Sequence, residues 1–370
     1  MIRKTTLAAV LLSIGGVAAA QSSLNLYGVI DLGLQWNRQY ASATGTQESI
    51  WGVQSGYQNG SRWGLSGAEA LGGGWQAIFT LEDGFDASTG TVAQGGVLFG
   101  RQAWAGVQGP WGSVVLGRIA TPSSGTGSWD LFGAVDPFAA GFGINTIGST
   151  FVAANSLRED NAALYVTPDW HGLKAAVGYS FNQSAAEVAP QDGNTRITNL
   201  ALSYGGGPWR AVATYDVIAY PAAGTPNQSN AGKPDEKLLQ LGVNYDFRIV
   251  TLYAAWAEQT GISAIRAGVS IAPPSGLAAY DNRAWMLGAS VPIGRGLLMG
   301  SYQYADAKNY LVAGGSAFEP DYAVWGLAYT YPLSMRTNLY TGYGQVQARG
   351  TLDPTQTDQR QFALGLRHQF

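Results

Sequence analysis

Side chains of unlike character alternate along this chain from near its start to its last residue. Leu24, Leu26, Gly28, Ile30, Leu32, Leu34 and Trp36 share one phase, and Asn25, Tyr27, Val29, Asp31, Gly33 and Gln35 share the other. Successive side chains of an extended strand leave opposite faces, so a period of two predicts strands with one apolar and one more polar face. The pattern returns over 75–82, 173–181, 239–247, 325–331 and 362–370. The chain is therefore expected to be all-β.

What the apolar face meets follows from charge. Asp, Glu, Lys and Arg make up only 12% of the residues, against about a quarter in soluble domains. A soluble sandwich or solenoid would account for alternation, but not for so sparse a charge. No later segment is long and apolar enough to predict a membrane helix. A closed barrel is the strand arrangement that leaves no unpaired edge in hydrocarbon. Trp36, Trp63, Tyr220, Trp256, Tyr331 and Phe370 stand at expected strand ends, where interfacial aromatic girdles lie.

Turn chemistry sets the strand count. Short Gly-, Pro- and Asp-bearing turns are predicted at 71–74, 109–111, 168–172, 205–208, 246–248, 293–296 and 332–334. Longer polar stretches occupy 37–60, 84–97, 120–157, 182–195, 221–236, 257–282, 307–321 and 346–358. Seven short turns and eight long loops predict a 16-stranded antiparallel transmembrane β-barrel, with both chain ends on the short-turn rim. The 120–157 stretch is rich in Gly, Phe and Ala, a composition suited to packing against the barrel interior. The lumen of so wide a barrel has room for it.

The first 20 residues read as an address. Arg3 and Lys4 precede an apolar run that ends Ala18-Ala19-Ala20, the order of a cleaved secretory signal. Residues 1–20 are expected to be removed, leaving 21–370 as the barrel domain. Loss of Arg3 and Lys4 from 21 basic residues against 24 acidic ones takes the formal charge from -3 to -5. The absence of Cys fits an oxidising compartment and excludes thiolate metal sites. An acidic chain offers no nucleic-acid face.

Several motifs then carry a resemblance: Leu24-Asn-Leu-Tyr-Gly-Val-Ile-Asp, Ser61-Arg-Trp-Gly-Leu-Ser-Gly, Leu98-Phe-Gly-Arg-Gln-Ala-Trp-Ala-Gly-Val, Val115-Leu-Gly-Arg, Asn161-Ala-Ala-Leu-Tyr-Val-Thr-Pro and the terminal Gly365-Leu-Arg-His-Gln-Phe370. In this order they resemble the general trimeric porins of Gram-negative bacteria, particularly the β-proteobacterial branch, over essentially the whole mature chain. The resemblance implies an outer-membrane homotrimer surrounded by lipid and lipopolysaccharide, with the third loop folded into the lumen. It implies passive diffusion of ions and small hydrophilic solutes. It also makes Phe370 the signal read by the outer-membrane assembly machinery.

In that family, wall arginines face acids on the infolded loop. The wall positions match Arg62, Arg101 and Arg158, and the loop offers Asp130 and Asp136, with Glu159 and Asp160 just after it. Arg62 is off-phase from Trp63 and Leu65, and Arg101 is off-phase from Trp104, so both are expected in the lumen. Arg158 shares phase with Leu164 and Val166 and needs a local irregularity to turn inward. The family's Pro-Glu-Phe-Gly-like loop motif is absent; Asp136-Pro137-Phe138 is the nearest match. Glu82, Lys174, Arg196, Arg210, Lys237, Arg336 and Arg367 are read as further lumen groups. Arg118 shares phase with Val114 and Leu116 and is open to a subunit contact as much as to a pore role. Gly28, Gly67, Gly106 and Gln102 are read as outward positions suited to contact between subunits.

Catalysis finds little support. His171 and His368 lie apart from any Ser–Asp arrangement, metal ligands are not clustered, and no cofactor motif is present. Two rival readings are a substrate-specific channel, which would call for a lumenal aromatic track, and an adhesin or receptor barrel acting through its loops.

Overall fold

The computed structural model describes residues 22–41, 46–155, 157–183, 187, 189, 193–225, 231–262, 277–312, 321–349 and 358–370. The expected signal segment 1–20 lies outside them. Seventeen strand segments form one antiparallel sheet that closes on itself. They are β1 (Ser23–Ala41), β2 (Thr46–Ser55), β3 (Arg62–Gly72), β4 (Trp75–Gly84), β5 (Gln102–Gly109) and β6 (Gly112–Ala120). After the third long loop come β7 (Arg158–Val166), β8 (Leu173–Ser180), β9 (Arg196–Gly206), β10 (Trp209–Ala219), β11 (Glu236–Asp246) and β12 (Thr251–Ile262). The remainder are β13 (Leu277–Ile293), β14 (Gly296–Val312), β15 (Tyr322–Pro332), β16 (Thr337–Ala348) and β17 (Gln359–Gln369).

The barrel has sixteen staves because β2 and β3 share one. β1 pairs with β2 from Leu32 to Ala41 and with β3 from Ser23 to Val29. On its other edge β1 pairs with β17, Val29 opposite Gln369 and Arg38 opposite Arg360, which closes the barrel. The shared stave is interrupted at 56–61. Buried Asp31 holds the interruption: its Oδ2 accepts from Asn59 N–H at 2.6 Å and its Oδ1 from the Tyr340 hydroxyl at 2.5 Å.

Alternation places the faces. On β11, Lys237, Leu239, Leu241, Val243 and Tyr245 lie outward, while Glu236, Leu238, Gln240, Gly242 and Asn244 are buried on the lumen side. Lys237 therefore joins the outward face, contrary to expectation, since it has the parity of Leu239. Exposed Trp51, Trp111, Trp170, Trp209, Trp285 and Phe370 cluster toward the two rims, as a girdle requires.

Several expected loops are partly strand. β1 and β2 continue as a hairpin through 37–41 and 46–55, with Trp36 paired to Trp51, ring centroids 6.5 Å apart. β12, β13 and β14 also reach into the 257–282 and 307–321 stretches. Beyond the bilayer both faces of a strand meet water, so the polar–apolar contrast fades while the hydrogen-bond ladder continues.

One phase assignment is inverted. Trp104 and Gln102 on β5 face the lumen, and both are nearly fully buried. The Trp104 ring lies 5.2 Å from Trp129 of the third loop, centroid to centroid. A large aromatic is read as lipid-facing from hydropathy alone, but here it packs under the infolded loop. Gln102 is thus not an outward position, and Gly106, two residues from Trp104, shares the inward phase. Gly28 and Gly67 do lie outward, yet they are covered within the chain. A Cβ on Gly28 would come 2.3 Å from Phe370 Cζ, and one on Gly67 2.4 Å from Phe79 Cε1.

Candidate pore constriction

The loop between β6 and β7, described over 121–155 and 157, lies inside the barrel and is seated on the β10–β17 wall. Phe132, Val135, Ile147, Phe151 and Ala154 pack on Val212, Ala255, Ala257, Ala284 and Met286. Phe138 and Phe142 pack with Tyr57, Met299, Ala328, Tyr340 and Ala363. Gly242 makes room: a Cβ there would lie 2.3 Å from Val135 Cγ2. The tip is tied to the break in the second stave, for Tyr57 O accepts from Gly143 N at 2.9 Å and Gln58 O from Phe142 N at 3.3 Å.

Wall amides satisfy the loop's backbone, which would otherwise be costly to bury. Gln240 Oε1 accepts from Ala154 N at 3.2 Å, and Asn244 Nδ2 donates to Ala134 O at 2.7 Å. Gln259 accepts from Val152 N and donates to Thr150 O. Gln303 Nε2 donates to Asn145 O at 2.8 Å and to Thr146 O at 3.1 Å, and its Oε1 accepts from Thr150 Oγ1 at 2.8 Å. Gln361 Oε1 accepts from Ile144 N at 3.1 Å. These amides escaped sequence reasoning, which weighed charges; their only signal was repeated Gln on the polar phase.

Opposite the seated loop, a cavity of about 530 Å³ is lined by Tyr27, Asn59, Arg62, Glu82, Arg101 and Gln102 from the barrel wall and the stave break, with Thr126 and Asp130 from the loop. Glu82 is its hub. Its Oε1 accepts from Arg101 Nε at 2.7 Å, and its Oε2 accepts from Tyr27 Oη at 3.0 Å and stands 3.4 Å from Arg62 Nε. Arg62 also donates to Asn59 Oδ1 and, at 2.9 Å, to Gly60 O. Arg101 Nη2 reaches Thr126 Oγ1 at 3.3 Å, spanning the opening from wall to loop. Two guanidinium groups against one buried carboxylate leave a surplus of positive charge on this wall.

The other sequence candidates are placed differently. Arg158 does not line the cavity; its Nε donates to Arg101 O at 3.1 Å, bracing the backbone behind it. Asp130 lines the cavity, but its carboxylate accepts from the N–H groups of Gly125, Phe132 and Gly133. Burial pushes its pKa up to about 7, against the pull of those donors. Asp136 lies inside the loop, accepting from Phe138, Ala140 and Ile147, and burial raises its pKa to about 6. The acid that meets the arginines is therefore Glu82, on the wall.

Arg118 forms an ion pair with Asp160 across the bulge that separates Gly117 from Ile119. Lys174 lies 3.6 Å from Asp169 at the short-turn rim; Arg196, contrary to expectation, has the outward parity of Thr198 and Leu200 and pairs with Glu187 at 2.9 Å on the long-loop side. Arg210 enters β10 opposite Asn244 on the lumen phase. Arg336 lies exposed in the turn between β15 and β16.

Comparison with known proteins decides the family. The Gram-negative porin family model matches residues 5–351. The chain belongs to that family. It is 36% identical to an outer membrane porin of Bordetella pertussis over the whole of both chains. It is 29% identical to outer membrane porin protein 32 of Delftia acidovorans, over 92% of this chain and 88% of that one. Its barrel superposes on an anion-selective porin from Comamonas acidovorans with a TM-score of 0.74 and 24% identity, covering 95% of this chain and all of that one. This porin is thus a general diffusion protein of the Gram-negative outer membrane.

Proposed function

We propose that this porin passes small hydrophilic solutes passively and favours small anions at the opening between Arg62, Arg101 and the 121–157 loop. The observation that carries this reading is the pairing of two lumenal guanidinium groups with the single carboxylate of Glu82. A ring of surplus charge in a narrow channel biases ion entry. The chain's overall acidity acts from farther away, and salt screens it over about 10 Å at 0.1 M. Arg158 contributes by holding Arg101 in place and adding charge behind it. Lys174, Arg210 and Arg336 act as more distant lumen and rim charges.

The remaining features of the reading rest on the family: a homotrimer in lipid and lipopolysaccharide, removal of residues 1–20 on export, and recognition of Phe370 during assembly. The test is the zero-current potential in a KCl gradient for wild type and for Arg62→Ser/Arg101→Ser/Arg158→Ser. The variant should move toward cation preference. A potential equal to that of wild type would show that these arginines do not set selectivity.

A further inference from the structure

A second basic cavity lies in the lumen at the short-turn mouth, and its lining shares no residue with that of the constriction. Its volume is about 300 Å³, and its lining includes Arg295, Arg336 and Arg367 with Gln58, Thr330 and Asn338. No carboxylate lines it. Arg367 comes from the inward phase of β17; Arg295 and Arg336 come from the turns before β14 and before β16. None of the three forms an ion pair among the described residues. Arg295 lies over the Tyr331 ring at 5.8 Å, and the Arg336 backbone N–H donates to Ser334 Oγ. Arg367 Nε is buried without a hydrogen-bond partner. Asp31, opposite Arg367 in the β1–β17 register, acts on Arg367 by its charge, but its oxygens are taken by Tyr340 and Asn59.

Three guanidinium groups line one cavity, and a buried donor left unmade is costly. Asp31 offsets part of the charge of Arg367 from outside the lining, but no carboxylate lines the cavity beside Arg295 and Arg336. A solute that brings negative charge and several acceptors matches this lining. Guanidinium groups match oxyanions in a planar, two-point fashion that a halide cannot reproduce. The cavity is several times the roughly 30 Å³ share of a water molecule, enough for a partly hydrated oxyanion.

We propose that the short-turn mouth is a binding station for small polyvalent oxyanions of the phosphate class, held by Arg367 and Arg336 with Arg295 at the rim. It extends the pore reading to a second station in series with the first. An anion that has cleared the constriction dwells here before leaving, and one entering from the short-turn side is captured here first.

The test is block of chloride current by inorganic phosphate in oriented, reconstituted channels. Phosphate added to the short-turn side should reduce the wild-type current. Arg336→Ser, a change in an exposed turn, should raise the half-blocking concentration by about tenfold, the equivalent of one charge-assisted hydrogen bond. Arg367→Ser should do the same, and Arg62→Ser should leave the block in place. Absence of block in wild type overturns the proposal, as does a half-blocking concentration unchanged in both mouth variants. Loss of block in Arg62→Ser alone would place the phosphate at the constriction and equally overturn it. The zero-current potential in KCl reports on the constriction separately, so the two readings fail independently.

Discussion

Arg101 holds Glu82 twice: its Nε donates to the carboxylate at 2.7 Å, and its backbone N–H donates to the Glu82 carbonyl at 3.2 Å. The second contact belongs to the entry into β5 and fixes the chain where the side chain must act. The first places a negative charge where the arginines would otherwise stand alone.

Glu82→Gln should therefore strengthen anion preference. An ion passing about 4 Å from one additional unit charge gains about 1 kcal/mol even in bulk water, or about fivefold in local occupancy. The zero-current potential in a KCl gradient should shift toward the chloride equilibrium value. A shift toward the potassium value would contradict the hub role of Glu82.

Removal of residues 129–143 takes out Phe132, Val135, Phe138 and Phe142 from the apolar seat of the loop and leaves Ile147 and Phe151. Conductance and the solute size limit should both rise. Gln303→Leu is a milder probe, for it removes three loop contacts worth about 1 kcal/mol each. Open-channel current noise should increase while the barrel stays folded. A silent recording would mean that the packing alone fixes the loop.

Selectivity should depend on pH with a defined sign. Burial raises the pKa of Asp130 to about 7 and that of Asp136 to about 6. Both are neutral below those values and negative above them. Raising pH from 5 to 8 therefore adds negative charge on the loop side, and anion preference should fall. Asp130→Asn should flatten the part of the titration centred near pH 7, because Asp130 lines the cavity and Asp136 does not. The zero-current potential measured at each pH checks this.

Phe370 lies over Gly28, and the two residues exchange backbone hydrogen bonds of 3.1 Å. Gly28→Val leaves the terminal residue intact but denies its ring this seat. The folded oligomer should then dissociate at a lower temperature on semi-native gels. An unchanged temperature would leave Phe370 with a role in assembly only.

Much of the barrel could be read from alternation and turn chemistry, because a strand between lipid and water must present two unlike faces. The reading failed where that contrast is absent. The 37–41 and 46–55 hairpin arms carry polar residues on both phases, and Trp104 is apolar yet lumenal because Trp129 covers it. Arg62 and Arg101 were legible as candidates. Glu82 was legible as a lumen group but not as their partner, since it reaches them through a hairpin register that no local pattern encodes. Asp130 and Asp136 carry the expected chemistry, but they spend their oxygens on the loop's own N–H groups.

The infolded loop is mounted on Gln240, Gln259, Gln303 and Gln361, all neutral, and on aromatic packing. The opposite bank carries the ions. Electrolyte attenuates charge over about 8 Å at 0.15 M and leaves amide bonds and buried rings largely untouched. Calibre and preference are thus governed by separate chemistries on facing banks. Diluting the medium sharpens which ions the channel admits and leaves the largest molecule that fits unchanged.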